Sequence, residues 1–340
     1  VFAVAPADLL GPTIEVDALP EQFESVRAVV AGGLVAFVST YRGPVIEEVP
    51  QSELTGRLLL HQQVIEQLMR TSNVLPVRLG TILEDDEAVA WLLRGSGELL
   101  RSTWEKFRDT VEIDIAATWD IGEILAQIAG DPDVEAAKSA ALAASTEQRP
   151  EAAIGVGQLV EAKLHERRGE LERKILEQLQ PCASDMQLNA VVSDELVCNI
   201  ALLVDQSRAA DIDATLHRLD AELDGRYNFR RVGPLPPYSF ATVHVHRIGP
   251  DEIERSLAVL ELSGSFDESA VQDQYRVLAL TRHPDVRTTD PSAARDFEDL
   301  TGARTTLMSV CRNRPDTSCI SDSAIFHASI ERSIGRNWDV

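Results

Sequence analysis

ELVCNIALLVDQSRAADIDATLHRLDAELDG, residues 195–225, is the stretch from which the fold is read. Its first ten residues form an aliphatic, β-branched run and predict a strand over 195–204. Ile212, Leu216, Leu219 and Leu223 then recur every three or four residues, the spacing of one helix face, and Gly225 suits the helix stop. YNFRRV at 227–232 and SFATVHVH at 239–246 read as two further strands. The string GPLPPYS between them carries three prolines, which cannot donate to a sheet ladder and so belong to a turn.

Upstream, VFAVA at 1–5 and GLVAFVS at 33–39 read as strands, with a helix expected between them whose apolar side carries Phe23, Val26 and Val30. LLLHQQVIEQLMR at 58–70 sets Leu60, Val64 and Leu68 on one helix face, and Val74 to Val77 resume an extended run. The acidic run Glu84 to Glu87 reads as a helix start, because carboxylates favour the positive end of the helix dipole. VEIDIAA at 111–117 alternates with period two and is expected to close the first domain as a strand, with Trp91, Trp104 and Trp119 in one core. Residues 120–155 start helical and drift into small and polar residues, which reads as a mobile connection. From 157 to 180 a long helix carries Leu164, Leu171, Ile175 and Leu179 on one side.

The expected class is α+β: two ferredoxin-like sandwich domains joined by helices, plus a small all-α C-terminal module. The boundaries expected are 1–120, a helical connection at 121–185, a second domain at 186–247, the module at 250–312 and a polar tail at 313–340 that contains Trp338.

Composition narrows the function. The 340 residues carry 32 Lys+Arg against 55 Asp+Glu, a net charge of −23 that repels phosphate backbones and argues against nucleic-acid binding. The four cysteines, Cys182, Cys198, Cys311 and Cys319, form no CxxC pair and fit free thiols in a reducing, cytoplasmic compartment. No apolar run approaches the length of a membrane span. Phosphate-loop, dinucleotide, zinc-protease and nucleophile-elbow strings are missing, so no enzyme and no cofactor are expected. His244 and His246 share one face of a strand without an acidic or thiol partner at ligand spacing, and no metal site is assigned to them.

Two strings are more specific. HQQVIEQLMRTSNVLPVRLGTIL at 61–83, followed by VEIDIAATWD, resembles the N-terminal part of the GvpF/GvpL family of gas vesicle proteins, and residues 199–223 running into GPLPPYSFATV at 233–243 resemble its C-terminal part. The resemblance implies a non-catalytic accessory protein, in the cytoplasm or at the vesicle, acting as chaperone or nucleation factor. It also implies contact with the hydrophobic shell protein GvpA and with other accessory proteins. Covering the apolar face of such a subunit, or lending it a sheet edge, would keep it dissolved. His61, Pro76, Arg78, Gly80, Gly233, Pro234, Pro236, Pro237 and Tyr238 fall in the matching strings and are read as structural, setting turns and strand ends.

The segment SLAVLELSGSFDESAVQDQYRVLALTRHPDVRTTDPSAARDFEDLTGARTTLM after Gly249 looks like a J-domain. Asp267 can cap a helix whose Val271, Tyr275, Leu278 and Ala279 share a face, and Phe297, Leu300, Ala303 and Leu307 do the same on the next helix. By resemblance His283, Pro284 and Asp285 would contact an Hsp70-type chaperone and stimulate its ATP hydrolysis. The chain departs from that pattern in three places: only Arg276 and Arg282 are basic on the first helix, Gly302 interrupts the second, and Arg304 stands where an aromatic residue is commoner. Two other readings remain: a general Hsp70 co-chaperone with an unrelated client domain, and a ligand-binding regulatory ferredoxin-like protein with a concave apolar pocket.

Overall fold

The computed structural model describes residues 1–9, 23–44, 50–71, 73–286, 292–313 and 325–332. They form two compact units, one of Val1–Arg108 with Ala241–Arg332 and the other of Asp109–Phe240.

The first unit begins with β1 (Ala3–Pro6), β2 (Arg27–Ala31) and β3 (Leu34–Val38). Val26 and Val30 therefore belong to an extended segment and not to a helix. Consecutive β-branched residues favour the strand, and Gly32 and Gly33, at φ 58° and 74°, make the two-residue turn whose twist suits an antiparallel hairpin. Next come α1 (Gln51–Met69), which buries Leu60, Val64 and Leu68, and the short β4 (Leu75–Pro76). The acidic run does start a helix: α2 (Asp86–Gly95) is capped by Asp85, whose carboxylate accepts from Ala88 N at 2.8 Å. Helix α3 (Gly97–Phe107) follows, and the sheet order is β2-β3-β1-β4, all antiparallel.

The second unit is built on β5 (Thr110–Trp119), which lies at the interior of its own sheet and not with β1 to β4. Trp119 is accordingly buried in this unit, apart from Trp91 and Trp104. Helices α4 (Ile121–Ala129) and α5 (Pro132–Ala143) and the start of α6 (Arg149–Leu179) occupy 120–155, where a helical start and then a mobile connection were expected; the rest of α6 is the long helix read from the sequence. Alanine carries the helix propensity of α5, and ion pairs replace a wide apolar face: Asp131 meets Lys163 and Arg167, and Asp133 meets Lys163. Only Val134 of α5 is buried. The remaining elements are β6 (Asp185–Leu188), β7 (Leu196–Asp205), α7 (Ala209–Glu222) and β8 (Tyr227–Leu235). The sheet order is β6-β7-β5-β8, with α6 packed on β7 and α7 on β8.

The chain then returns to the first unit. Strand β9 (Thr242–Ile248) leaves the sheet of β8, and Val243 bridges in parallel to Val77 beside β4. Helices α8 (Pro250–Val259), α9 (Glu268–Arg282) and α10 (Ala293–Asn313) follow as read, with Val271, Leu278, Leu300, Ala303 and Leu307 buried in one cluster and Tyr275, Ala279 and Phe297 packed against it. The polar tail holds an unforeseen strand, β10 (Ile325–Glu331), antiparallel to the whole of β9. Ile325, Phe326 and Ala328 are buried, and Ala328 N donates to the buried Ser96 Oγ at 2.8 Å. Helix α10 and β10 both pack on α2, so the C-terminal helices share a unit with the N-terminal sheet. Cys319 and Trp338 lie outside the described residues.

Ile325 is buried in the cluster of α8 to α10. Ile325→Ala is expected to destabilise the first unit by about 2–5 kcal/mol in denaturant titration, with the second unit unchanged by peptide-level hydrogen exchange. Gly302 is helical with open space where a Cβ would stand, so Gly302→Ala is expected to stabilise the same unit by about 0.5–1 kcal/mol.

Candidate functional site

The residues singled out by sequence fall at three places. His61, Pro76, Arg78 and Gly80 gather in the first unit. Pro76 is buried opposite Ala3 in the β1–β4 pair, and Arg78 N donates to Val243 O at 2.9 Å, so this string splices β4 to β9. Gly80, at φ 88°, makes the following turn. His61 and Gly80 line a cleft of about 210 Å3 with Phe2, Phe23, Tyr41 and Arg57. Burial holds the His61 imidazole down at about 4, against a hydrogen bond to Val77 that favours its charged form. Its Nε2 has no partner among the described residues.

In the second unit the proline string closes over a carboxylate that the sequence reading passed by. Glu112 on β5 is 2% exposed; its two oxygens accept from Ser239 N and Ser239 Oγ, each at 2.7 Å. Burial pushes the Glu112 carboxyl up to about 8; the Ser239 bonds oppose this, and the neighbouring Asp114 adds to it. Asp114 is itself raised by burial, offset by Glu112 and Arg230. Pro236 and Pro237 are buried, Tyr238 is half-buried, and Tyr238 N donates to Pro236 O at 2.7 Å. Gly233 sits at φ 128° where a Cβ would stand 2.8 Å from Glu112 O, so its family position is a steric requirement. The signal in the sequence was Glu112 inside a strand, one residue from each of two buried aliphatics, Val111 and Ile113.

The third place is the turn after α9. His283 leaves the helix at ψ 136°, and Val286 N donates to His283 O at 2.9 Å to close the turn. Asp285 N donates to His283 Nδ1 at 3.2 Å, and the edge of Phe297 meets the imidazole with centroids 4.8 Å apart. Asp285 is exposed. Asp267 caps α9 by accepting from Ala270 N at 2.8 Å, as its position suggested. Arg304 stacks its guanidinium 4.9 Å from the centre of the Tyr275 ring, so an aromatic partner is replaced by a cation over a π face.

His244 and His246 have partners on β10. His244 Nδ1 lies 3.0 Å from Glu331 Oε2, and His246 stacks on His327 with centroids 5.0 Å apart. No group of three or more His, Cys, Asp or Glu among the described residues is arranged to hold a metal.

The model of the gas vesicle synthesis protein GvpL/GvpF family matches residues 1–242. The chain belongs to this family. A DnaJ domain model matches residues 257–314, from within α8 to the end of α10. Gas vesicle protein F of Streptomyces sp. strain CB03234 is 30% identical over 223 residues, 64% of this chain and 88% of that protein. The protein of that name from Nostoc sp. strain PCC 7120 is 24% identical over 55% of this chain and 77% of its own. In fold, the crystal structure of GvpF from Anabaena sp. PCC7120 covers 70% of this chain and 92% of its own at TM-score 0.56 and 22% identity. GvpF from Microcystis aeruginosa covers 70% and 96% at TM-score 0.55 and 18% identity. The GvpL/GvpF family has a role in gas vesicle assembly and corresponds to no known enzyme class, and a DnaJ domain is a co-chaperone module. Among the described residues no helix is long and apolar enough to cross a membrane.

The buried acid and the buried imidazole titrate in opposite senses. Glu112 has its folded value raised above the ordinary 4.5, so its contribution is fully present below about 4.5 and is lost as pH rises through about 8. Glu112→Gln is expected to flatten the loss of stability in the second unit as pH rises from about 4.5 to about 8, whose slope for one proton is at most about 1.4 kcal/mol per pH unit. His61 has its folded value lowered, so the first unit is expected to lose stability as pH falls from 6.5 towards about 4. Urea titrations at stepped pH, followed by hydrogen exchange in each unit, measure both.

Proposed function

We propose that this GvpL/GvpF family protein is a cytoplasmic assembly factor that holds the hydrophobic shell protein GvpA in solution, together with other accessory proteins, and brings an Hsp70-type ATPase to the complex. ATP turnover belongs to that partner; the chain itself performs no catalysis.

The observation that carries the reading is the joining of two modules in one unit. The DnaJ helices share a continuous core with β10, and β10 is bonded along its length to β9, the strand that follows the family region. A subunit held by the N-terminal sheet of the family fold would thus sit at a fixed distance from the turn of His283, Pro284 and Asp285. That turn is ordered by its own hydrogen bonds and by Phe297, which supports a preformed contact for an ATPase. A net charge of −23 supports solubility of a complex with an apolar wall subunit.

Sharing of that core also decides how the reading is tested. Removing the C-terminal module would strip β10 from β9 and uncover α2, so a deletion confounds function with folding. Point variants at the turn leave the core intact. The full chain co-expressed with GvpA is expected to yield a soluble complex and to stimulate Hsp70 ATP hydrolysis. His283→Gln is expected to keep the complex and lower the stimulation about tenfold or more. A shell protein that stays insoluble beside the full chain would overturn the assembly role, and stimulation untouched by His283→Gln would overturn the co-chaperone role.

A second reading, ligand binding, draws on the cleft of about 210 Å3 beside His61, a volume suited to one ring-sized group. Titration with indole and phenol, monitored by amide shifts of α1, tests it; no shift removes it.

A further inference from the structure

The cleft beside His61 has a wall of aromatic rings in contact with one another. His61 meets Phe2 with centroids 5.7 Å apart, Phe2 meets Phe23 at 6.4 Å, and Phe23 meets Tyr41 at 4.8 Å, each pair tilted. All four rings line the cleft, and so does Ile82, which is 49% exposed. Such a wall suits a flat ring, because offset and tilted contacts between rings add to the burial of apolar area.

The polar groups of the same lining are short of hydrogens to donate. Ser39 Oγ donates to Glu24 O at 2.6 Å, Tyr41 Oη to Pro44 O at 2.9 Å and Thr81 Oγ1 to Arg78 O at 2.7 Å, while the Thr40 hydroxyl bonds the Glu24 carboxylate. A hydroxyl has one hydrogen and two lone pairs, so each of these four is left able only to accept. His61 is neutral near pH 7 and bonded to Val77, so its unpartnered Nε2 carries no hydrogen. Charge leans the same way. The lining holds two guanidinium groups, Arg27 and Arg57, against three carboxylates, Glu84, Asp85 and Asp86. Arg27 gives both Nη groups to Asp86, at 2.7 and 2.6 Å. Arg57 gives Nη1 to Pro44 O at 3.1 Å and lies over the Tyr41 ring, 5.3 Å from its centre. An excess of carboxylate, in a chain of net charge −23, disfavours an anion.

We propose that this cleft binds a small aromatic ring that donates a hydrogen bond, an N–H heterocycle such as an indole, and rejects rings that have no donor or that carry a carboxylate. The inference rests on the ligand-binding reading above and adds to it the chemistry of the ligand. The aromatic wall supplies the affinity for a ring. Discrimination comes from the acceptors, which a ring without an N–H would cover and leave unpaired.

Three probes built on one bicyclic outline test this: indole, benzothiophene, which has no N–H, and indole-3-carboxylate, which adds an anion. Each is titrated into the full chain near neutral pH and followed by the amide shifts of α1 and β3. Indole is expected to bind about tenfold or more tightly than either of the others, a factor within the reach of one hydrogen bond. Two variants locate the ring. Phe23→Ala removes part of the wall, and Ile82→Trp fills the cleft from a half-exposed position; each is expected to weaken indole about tenfold. Circular dichroism checks that both variants fold, and Ile82→Trp, which leaves the buried core untouched, carries the test if Phe23→Ala does not.

Benzothiophene that binds within about twofold of indole, or indole-3-carboxylate that binds more tightly than indole, overturns the donor chemistry and leaves the ligand-binding reading standing. Indole shifts that persist unchanged in the variants put the ring elsewhere and overturn the assigned site. Silence from all three probes overturns both the inference and the reading beneath it.

Discussion

Seven consecutive residue pairs between β9 and β10 hold the first unit together. Strand β9 follows the end of the family region and β10 comes after the last DnaJ helix, so closing this ladder fixes both ends of a helical module to a sheet. The ladder also explains why β9 leaves the second unit. Strand β9 finds an antiparallel partner in β10, Val243 is buried beside β4, and Ser96 at the start of α3 supplies the acceptor that Ala328 N needs away from water. The histidines of β9 lie on the face opposite Val243 and Val245, where Glu331 and His327 meet them, and Ile248 at the end of that same face is buried among the C-terminal helices.

From that constraint follows a division of labour. The second unit is a sheet with its own core and a buried acid locked by the proline turn. The first unit combines the N-terminal sheet with the module that carries the exposed turn at His283. The ion pairs of Asp131 with Lys163 and Arg167 are partly buried and tie α5 to α6, while the stability of both units rests on apolar burial.

Local patterns were legible in the sequence because their causes are local. The periodicity of α9 and α10, the cap at Asp267, the carboxylates before α2 and the strand-helix order of β7 and α7 each arise within about ten residues, and the family strings covered the same ground. Long-range pairing was not legible. IFHASIE at 325–331 gives weak alternation inside a polar tail, and its partner lies some eighty residues earlier, so nothing near it marks a strand. VEIDIAA was legible as a strand but not as the interior strand of a separate sheet. Phe23 to Val30 misled because aliphatic residues at helical spacing also suit a hairpin, and Gly32-Gly33 was the deciding signal. At the candidate site the turn of His283 could be read from its motif, but the Glu112 to Ser239 lock and the stacking of Arg304 on Tyr275 need the third dimension.

The N-terminal sheet of the gas vesicle fold and the DnaJ helices are one cooperative body, not a domain with a tethered appendage. Native-state hydrogen exchange in mild denaturant measures this directly, since amides that open together share one opening free energy. Amides of β1, β3, β9, β10 and the core of α10 are expected to merge into a single isotherm. Exchange of β10, α9 and α10 at a clearly lower free energy, with β1 and β3 still protected, would contradict it.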